Sequence, residues 1–264
     1  MITENKAFIF EYPINECIRT CLKLEPIIKQ IERISGQTHP QQHKAQILLI
    51  ITLIHILERQ DIKTKFVKLI TQQQANLLAL QDNNKVDQAT LQFWIQKLKS
   101  LSTNIQNTTS LTGTLKDDAL LNFILQQPSS TQSVPNFMVP QLQCWLQLPD
   151  EHRLNQLAKW RQSLSLIEQL LNTLLPLIRN SKPFKQELSS ASFFQTNLNK
   201  EQEIHLVRIK IFKPDIYPEI SIGKHRMIIH FMSAYTQQQT NTSIDFEWMT
   251  SSLLLAKNNY SIIS

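Results

Sequence analysis

The residues best suited by type and spacing to do chemistry form a short cationic cluster near the end of the chain, Lys224-His225-Arg226. The cluster follows Gly223, one of only three glycines, and glycine's backbone freedom favours a chain reversal there. Residues 227–231, Met-Ile-Ile-His-Phe, come next, and their β-branched and aromatic content predicts a strand. The segment therefore predicts a turn beside a sheet that presents positive charge to a carboxylate-bearing partner. A charged turn that only maintains solubility has the same pattern.

A second group of cations is expected on the first predicted helix, from about residue 14 to residue 34. Apolar residues recur there at alternating steps of four and three and define a buried stripe. Four basic residues fall on the opposite side of that helix: Arg19, Lys23, Lys29 and Arg33. They form either a binding face or an ordinary solvated helix face.

Metal binding is not favoured by the cysteines and histidines. His39 and His43 have the spacing of two ligands on one helical face, but Pro40 lies between them and no third ligand adjoins. Cys17 and Cys21 share the apolar face of the first helix, which is typical of small buried hydrophobes rather than of a metal or redox pair. We therefore expect no metal.

Catalytic motifs are also absent from the sequence. It contains no Gly-rich phosphate loop, no His-Glu-x-x-His, no Cys-x-x-Cys and no nucleophile elbow. The adjacent acids Asp117 and Asp118 precede an apolar run, which is more typical of the acidic first turn of a helix than of a catalytic pair. We expect a binding protein without enzymatic activity and without a cofactor.

Composition narrows the class of partner without choosing it. The 264 residues carry a formal charge of +6, which favours nucleic acid, anionic lipid or an acidic protein segment. An odd number of cysteines, three, and the lack of a signal sequence predict a cytoplasmic protein with free thiols. The longest apolar run, residues 47–57, is far shorter than the ~20 residues of a membrane span, so we expect a buried helix and no membrane insertion.

The order of elements predicts an α+β fold. A strand over residues 6–12 ends at Pro13 and has no local hairpin partner, so it should pair with strands after residue 185. We expect a mainly α-helical domain over residues 13–181 and a smaller antiparallel β domain formed by residues 1–12 and 182–264. The strands predicted in the second part are 187–194, 203–212, 226–232 and 243–248.

Within the helical part, the patterns predict helices that start at Pro40, at Asp61 and near Val86, a short helix over 115–126, and loops over 102–114 and 128–136. The Asp82-Asn83-Asn84 run should end the helix that Asp61 begins. The longest helix should open at Pro149-Asp150-Glu151. Its apolar stripe from Leu157 to Ile178 fits either a dimer seam or a single-chain core.

Several ordered segments resemble the ZapD family of cell-division proteins. The opening, residues 8–25, contains Phe-Glu-x-Pro followed by Asn-Glu and Arg-Thr, as the start of those proteins does. Further blocks agree in order: Arg-Asn-Ser-Lys-Pro-Phe at 179–184, Phe-Phe-Gln at 193–195, Tyr-Pro-Glu-Ile-Ser at 217–221 leading to 224–226 and Phe-Met at 231–232, and Asp-Phe-Glu at 245–247. The resemblance spans roughly residues 7–248.

The resemblance implies a fold, a partner and a location. ZapD proteins are cytoplasmic homodimers at the division septum, with an α-helical domain and a β domain that includes the N-terminal strand. They bind the C-terminal tail of FtsZ and bundle its filaments, which stabilises the Z-ring. The partner-binding surface that the resemblance implies, together with the histidines of the cationic cluster and strand, contains Arg19, Lys23, Arg59, Arg179, Lys224, His225, Arg226 and His230.

Some positions depart from the family pattern, and one other function remains open. Ala119, Gln143 and His230 stand where relatives can carry Arg, His and Arg. The alternative is a nucleic-acid-binding protein that uses the same basic surface. It is disfavoured because the basic residues are not interleaved with aromatic ones and the net charge is modest.

Overall fold

A computed structural model describes residues 7–59, 61–81, 86–127, 139–198 and 203–252. That part of the chain contains eight α-helices and two antiparallel sheets, which confirms the predicted α+β class. The helix break predicted at 82–84 and the loop predicted at 128–136 lie outside the described residues, as do residues 253–264.

The chain divides into two compact units. One, called here the strand unit, comprises Met1–Arg19, Ala75–Trp94 and Leu175–Ser264. The other, the helical unit, comprises Thr20–Gln74 and Ile95–Leu174. The domain boundary expected near residue 182 stays a prediction.

The helices begin close to the predicted signals. Asn15 accepts a hydrogen bond from the Cys17 amide at the start of the first helix, and Pro40 is the first residue of the second. Their bounds are α1 Glu16–Ile34, α2 Pro40–Leu57, α3 Ile62–Leu78, α4 Gln88–Asn107, α5 Ala119–Leu125, α6 Pro140–Leu146, α7 Asp150–Gln162 and α8 Ser165–Arg179, with one 3₁₀ turn at Leu115–Asp117.

The single long helix predicted after Pro149 is wrong, because α7 and α8 are separate helices. Between them the Leu164 amide donates to the Arg161 carbonyl, a tighter turn than the α-helix, in a segment with serines at 163 and 165 that lower helix propensity. The predicted stripe from Leu157 to Ile178 is buried within the chain. Its pattern is therefore that of a single-chain core, and the dimer-seam interpretation is not supported.

The strands of the strand unit form two sheets. Their bounds are β1 Phe8–Pro13, β2 Lys185–Leu188, β3 Phe193–Asn197, β4 Ile204–Ile211, β5 Ile216–Ile222, β6 Arg226–Ser233 and β7 Asp245–Ser252. The four-stranded sheet has the order β1-β4-β7-β2 and the three-stranded sheet the order β3-β6-β5. β1 pairs antiparallel with β4, from Phe8 opposite Ile211 to Pro13 opposite Leu206, which confirms the long-range pairing expected for the N-terminal strand.

One predicted strand, 187–194, is instead two strands. Ala191 has a positive φ of 51°, and the Ser189 hydroxyl donates to the Ala191 carbonyl at 2.5 Å, so the chain turns between β2 and β3. The turn places β2 in one sheet and β3 in the other.

The two sheets bury one apolar core between them. Alternate residues of β4 and β6 point into it, and β7 adds Phe246 and Trp248. The Phe194 ring of β3 packs 5.1 Å from Phe246 and 5.8 Å from Trp248. This two-sheet sandwich holds the hairpin that carries the cationic cluster.

Candidate protein-binding site

The cationic cluster lies in the turn of the β5–β6 hairpin. The Gly223 amide donates to the Arg226 carbonyl at 2.9 Å and closes the turn, and the Leu198 amide donates to the His225 carbonyl at 2.9 Å. The side chains of Lys224, His225 and Arg226 are all exposed. The backbone is therefore fixed on both sides while the charged groups face solvent.

Gly223 does not serve the turn in the way the sequence indicated. Its φ is outside the positive region, and a Cβ at this position would stand 3.7 Å from the Arg226 carbonyl oxygen, an ordinary contact. The turn does not require glycine's special backbone freedom.

His230 lies on the same strand and on the outer face of its sheet. Met227, Ile229 and Phe231 of β6 are buried in the core, so the intervening residues face outward. His230 is partly buried: its ring is 5.4 Å from that of Phe193, and its Nδ1 lies 3.0 Å from the side-chain amide of Gln239.

The outer face of this sheet combines cations with half-exposed apolar groups. Across from β6, Asn197 pairs with Arg226 and Phe193 with His230, while Glu219 of β5 pairs with His230 from the other side. Positive charge is concentrated at the turn, whereas the acid Glu219 lies opposite His230, four residues farther along β6 than Arg226. A concavity of about 460 Å³ opens at the turn, lined by Asn197, Ser221 and Ile228 besides the turn residues.

Two other predicted contact residues of the strand unit, Arg19 and Arg179, form hydrogen bonds to β1 or to residues next to it. Arg19 donates to the Glu16 carboxylate at 2.8 Å and to the Pro13 carbonyl at 3.2 Å. Arg179 forms a bidentate pair with Glu11, at 2.8 and 2.7 Å. Both guanidinium groups thereby fix the chain around β1.

Arg208 completes an ion network that the sequence did not reveal. Its Nε is 3.0 Å from the Glu11 carboxylate and its Nη1 donates to the Arg179 carbonyl at 2.8 Å. Burial lowers the pKa of Arg208 and the Glu11 carboxylate opposes that shift, although the group stays cationic at neutral pH. The polar positions 208 and 210 that interrupt the apolar strand β4 were the available signal for such a network.

The remaining predicted residues belong to the helical unit. Lys23 is exposed on α1, four residues after Arg19, and Arg59 is exposed just after the end of α2. The structure thus brings Lys224, His225, Arg226 and His230 together on one hairpin. Arg19 and Arg179 lie near β1, and Lys23 and Arg59 stand on the helical unit.

Residues considered for metal or catalytic roles have structural partners. His39 accepts from the Gln41 amide as the N-cap of α2, and His43 lies 2.6 Å from the Gln37 carbonyl. Over the described part of the chain, no group of three or more His, Cys, Asp or Glu side chains is arranged to hold a metal ion. The side chains of Cys17 and Cys21 are buried, and that of Cys144 is exposed.

Asp118 joins two helices of the helical unit. Its Oδ1 caps α5 through the Leu120 and Leu121 amides, while its Oδ2 accepts from Gln156 and Trp160 of α7. At the predicted acidic first turn, Asp118 is thus the N-cap of α5 and also forms tertiary hydrogen bonds to α7.

None of the helices in the described ranges combines the length and the apolarity needed to cross a bilayer.

Fold and surface together define an α+β protein with a cationic β-hairpin on a two-sheet sandwich. A family model for ZapD, described as a cell division protein, matches residues 22–230. The chain belongs to the ZapD family, and the resemblance seen in the sequence is confirmed.

Curated relatives agree with the family model. "Cell division protein ZapD" of Coxiella burnetii is 30% identical over 235 residues, which covers 88% of this chain and 91% of the relative. The Pectobacterium carotovorum protein of the same name is 30% identical over 88% of this chain and 92% of its own. The Klebsiella pneumoniae protein of that name is 32% identical, and the match covers 85% of this chain and 90% of the relative. Membership of the family implies a role in cell division.

Proposed function

We propose that this protein binds the C-terminal tail of FtsZ and cross-links FtsZ filaments into bundles, which stabilises the Z-ring at the septum in the cytoplasm. It acts as a binding protein, without catalysis or cofactor. The observation that carries the proposal is the exposed turn Lys224-His225-Arg226, held by hydrogen bonds on the two-sheet sandwich, in a member of the ZapD family.

The chemistry of the hairpin suits an acidic, flexible segment. Arg226 can engage a carboxylate with two parallel hydrogen bonds, and Lys224 adds a mobile point charge. The half-exposed Phe193 and Ile228 offer apolar contact beside these cations. Because the charges are in solvent, added salt weakens the interaction, with a screening length of about 10 Å at 0.1 M.

Bundling requires a particle with two tail sites. We propose a homodimer formed through the helical domain, residues 13–181, by a surface other than the buried stripe of α7 and α8. A self-complementary patch would give the two-fold symmetry of such a dimer. Once one site is occupied, the second is at a high effective concentration, which strengthens filament attachment by ~100-fold or more.

The hairpin is tested by charge reversal. The double variant Lys224→Glu, Arg226→Glu should remain folded and lose binding to a synthetic FtsZ tail peptide, measured by fluorescence anisotropy at low salt. Lys65→Glu, Lys68→Glu on α3 is the matched control, because it reverses two exposed lysines with the same change in net charge. Wild-type affinity in the hairpin variant would remove this cluster from the site.

The same proteins can be titrated with duplex DNA. The proposal expects DNA binding to be weak and equally reduced in both double variants, because only net charge then matters. Tight DNA binding that is lost with the hairpin charges would favour the nucleic-acid alternative.

A further inference from the structure

Strand β3 is an open edge of the three-stranded sheet. It is hydrogen-bonded to β6, and among the described residues no strand pairs with its other side. The hydrogen bonds to β6 show which backbone groups of β3 are already paired. The Phe231 amide donates to the Ser192 carbonyl, and the Leu198 amide donates to the His225 carbonyl. Residues 192, 194, 196 and 198 therefore direct their backbone groups toward β6, and residues 193, 195 and 197 direct theirs away from it.

The outward groups of β3 are not all equally available. Phe193 exchanges both of its backbone hydrogen bonds with Ser190, at 3.1 and 3.0 Å, in the turn that precedes the strand. Among the described residues no turn or strand pairs with the outward backbone groups of Gln195 and Asn197, and both residues are exposed. Their N–H and C=O groups form a short template onto which a further strand can pair.

The opposite edge of the same sheet is protected. In the β5–β6 register Gly223 donates to Arg226, so the even-numbered residues of β5 direct their backbone groups away from β6. Pro218 occupies one of these outward positions and has no N–H to donate. A proline at an edge is a common device against strand addition. The sheet therefore blocks the β5 edge and leaves the β3 edge open.

Charge selects the kind of strand that fits. β3, Phe-Phe-Gln-Thr-Asn, has no charged residue, and Asn197 pairs with Arg226 at the end that adjoins the cationic turn. β2, joined to β3 by a short turn, carries Lys185 and Glu187 and thus no net charge. An acidic strand paired with Gln195 and Asn197 would place its carboxylates near Lys224 and Arg226 without meeting an acid on β3.

We infer that the partner segment binds by strand addition: an extended, acidic stretch of the FtsZ tail pairs with the open edge of β3 at Gln195 and Asn197, next to the cationic turn. The inference rests on the proposed function and adds the mode of binding. Backbone hydrogen bonds supply sequence-independent affinity, and the turn selects for carboxylates. Strand addition, unlike binding through charge alone, requires a backbone N–H group on the open edge of β3.

Substitution of Gln195 by proline tests that requirement. The outward N–H is lost and the ring blocks the edge, while the bonds from β3 to β6 are kept, as at Pro218 on the other edge. Gln195→Ala is the matched control because it removes the same side chain and keeps the amide. We expect Gln195→Pro to weaken binding of the FtsZ tail peptide at least 10-fold and Gln195→Ala to change it less than 2-fold.

Hydrogen exchange on the wild-type protein gives an independent measurement that needs no substitution. The amides of Gln195 and Asn197 should be protected at least 10-fold on addition of saturating tail peptide. Unchanged exchange at both amides, or wild-type affinity in a folded Gln195→Pro protein, overturns strand addition. If the Lys224→Glu, Arg226→Glu protein still loses binding in that case, strand addition is wrong, and the proposed binding of the FtsZ tail by the cationic turn is retained. A wild-type protein that does not bind the peptide refutes both.

Discussion

The Glu11–Arg179–Arg208 network gives the sharpest stability prediction. Glu11 receives two hydrogen bonds from Arg179 and an ion pair from Arg208, and the three side chains are 18%, 23% and 12% exposed. Glu11→Gln preserves the shape but removes the charge that compensates two guanidinium groups. Breaking a buried pair on one side costs about 3–5 kcal/mol, and the partial exposure here places the expected loss near the lower end, about 3 kcal/mol.

Glu16→Gln is the matched control. Glu16 also pairs with an arginine, Arg19, at 2.8 Å, but the two side chains are 39% and 43% exposed. Exposed pairs of this kind contribute about 0.2–1 kcal/mol. Both variants remove one carboxylate charge, so the difference between them isolates burial.

Urea and thermal unfolding followed by circular dichroism measure the two costs. For a chain of this size about 3 kcal/mol corresponds to a decrease in Tm of roughly 6–12 °C, whereas Glu16→Gln should shift it by less than about 4 °C. Equal losses in the two variants would refute the reasoning, because the network around Glu11 would then contribute no more than a surface ion pair.

Deletion of Met1 to Glu11 should destabilise the sheet that β1 completes while most helicity in circular dichroism is retained; full thermal stability with normal FtsZ binding would contradict the β1–β4 pairing. Burial lowers the pKa of His205, whose two ring nitrogens have no hydrogen-bond partner among the described residues, so stability should fall as the pH drops below the unfolded value of about 6.5; His205→Leu should flatten that slope in urea unfolding at pH 5–8, and an unchanged slope would exclude His205 as its source. Asp118→Ala should cost about 2–3 kcal/mol because a helix cap and the acceptor for Trp160 are lost together, and a loss below about 0.5 kcal/mol in urea unfolding would show that these bonds add little.

Periodicity predicted the elements well and their interruptions poorly. The apolar stripe from Leu157 to Ile178 keeps helical spacing through the break at Ser163 and Leu164, and its residues are buried on both helices. The turn between β2 and β3 depends on a positive φ at Ala191, a residue type that does not indicate one. Strand β5 was not predicted; it contains Pro218, a residue that strands accept mainly at a sheet edge.

The sequence likewise predicted one part of the candidate site and not the rest. Exposed cations in a hairpin turn were predictable from residue type and the adjacent strand. The commitment of Arg179 to Glu11 was not, because the two residues are 168 positions apart and one sequence contains no contact information. The open edge of β3 likewise depends on the register with β6, which only the folded chain defines.

The proposed binding to FtsZ can be measured by co-sedimentation of this protein with FtsZ polymers, using FtsZ with and without its C-terminal tail. We expect the protein to pellet with full-length polymers and to bundle them, and to stay in the supernatant when the tail is missing. Equal pelleting and bundling with tailless FtsZ would contradict this expectation.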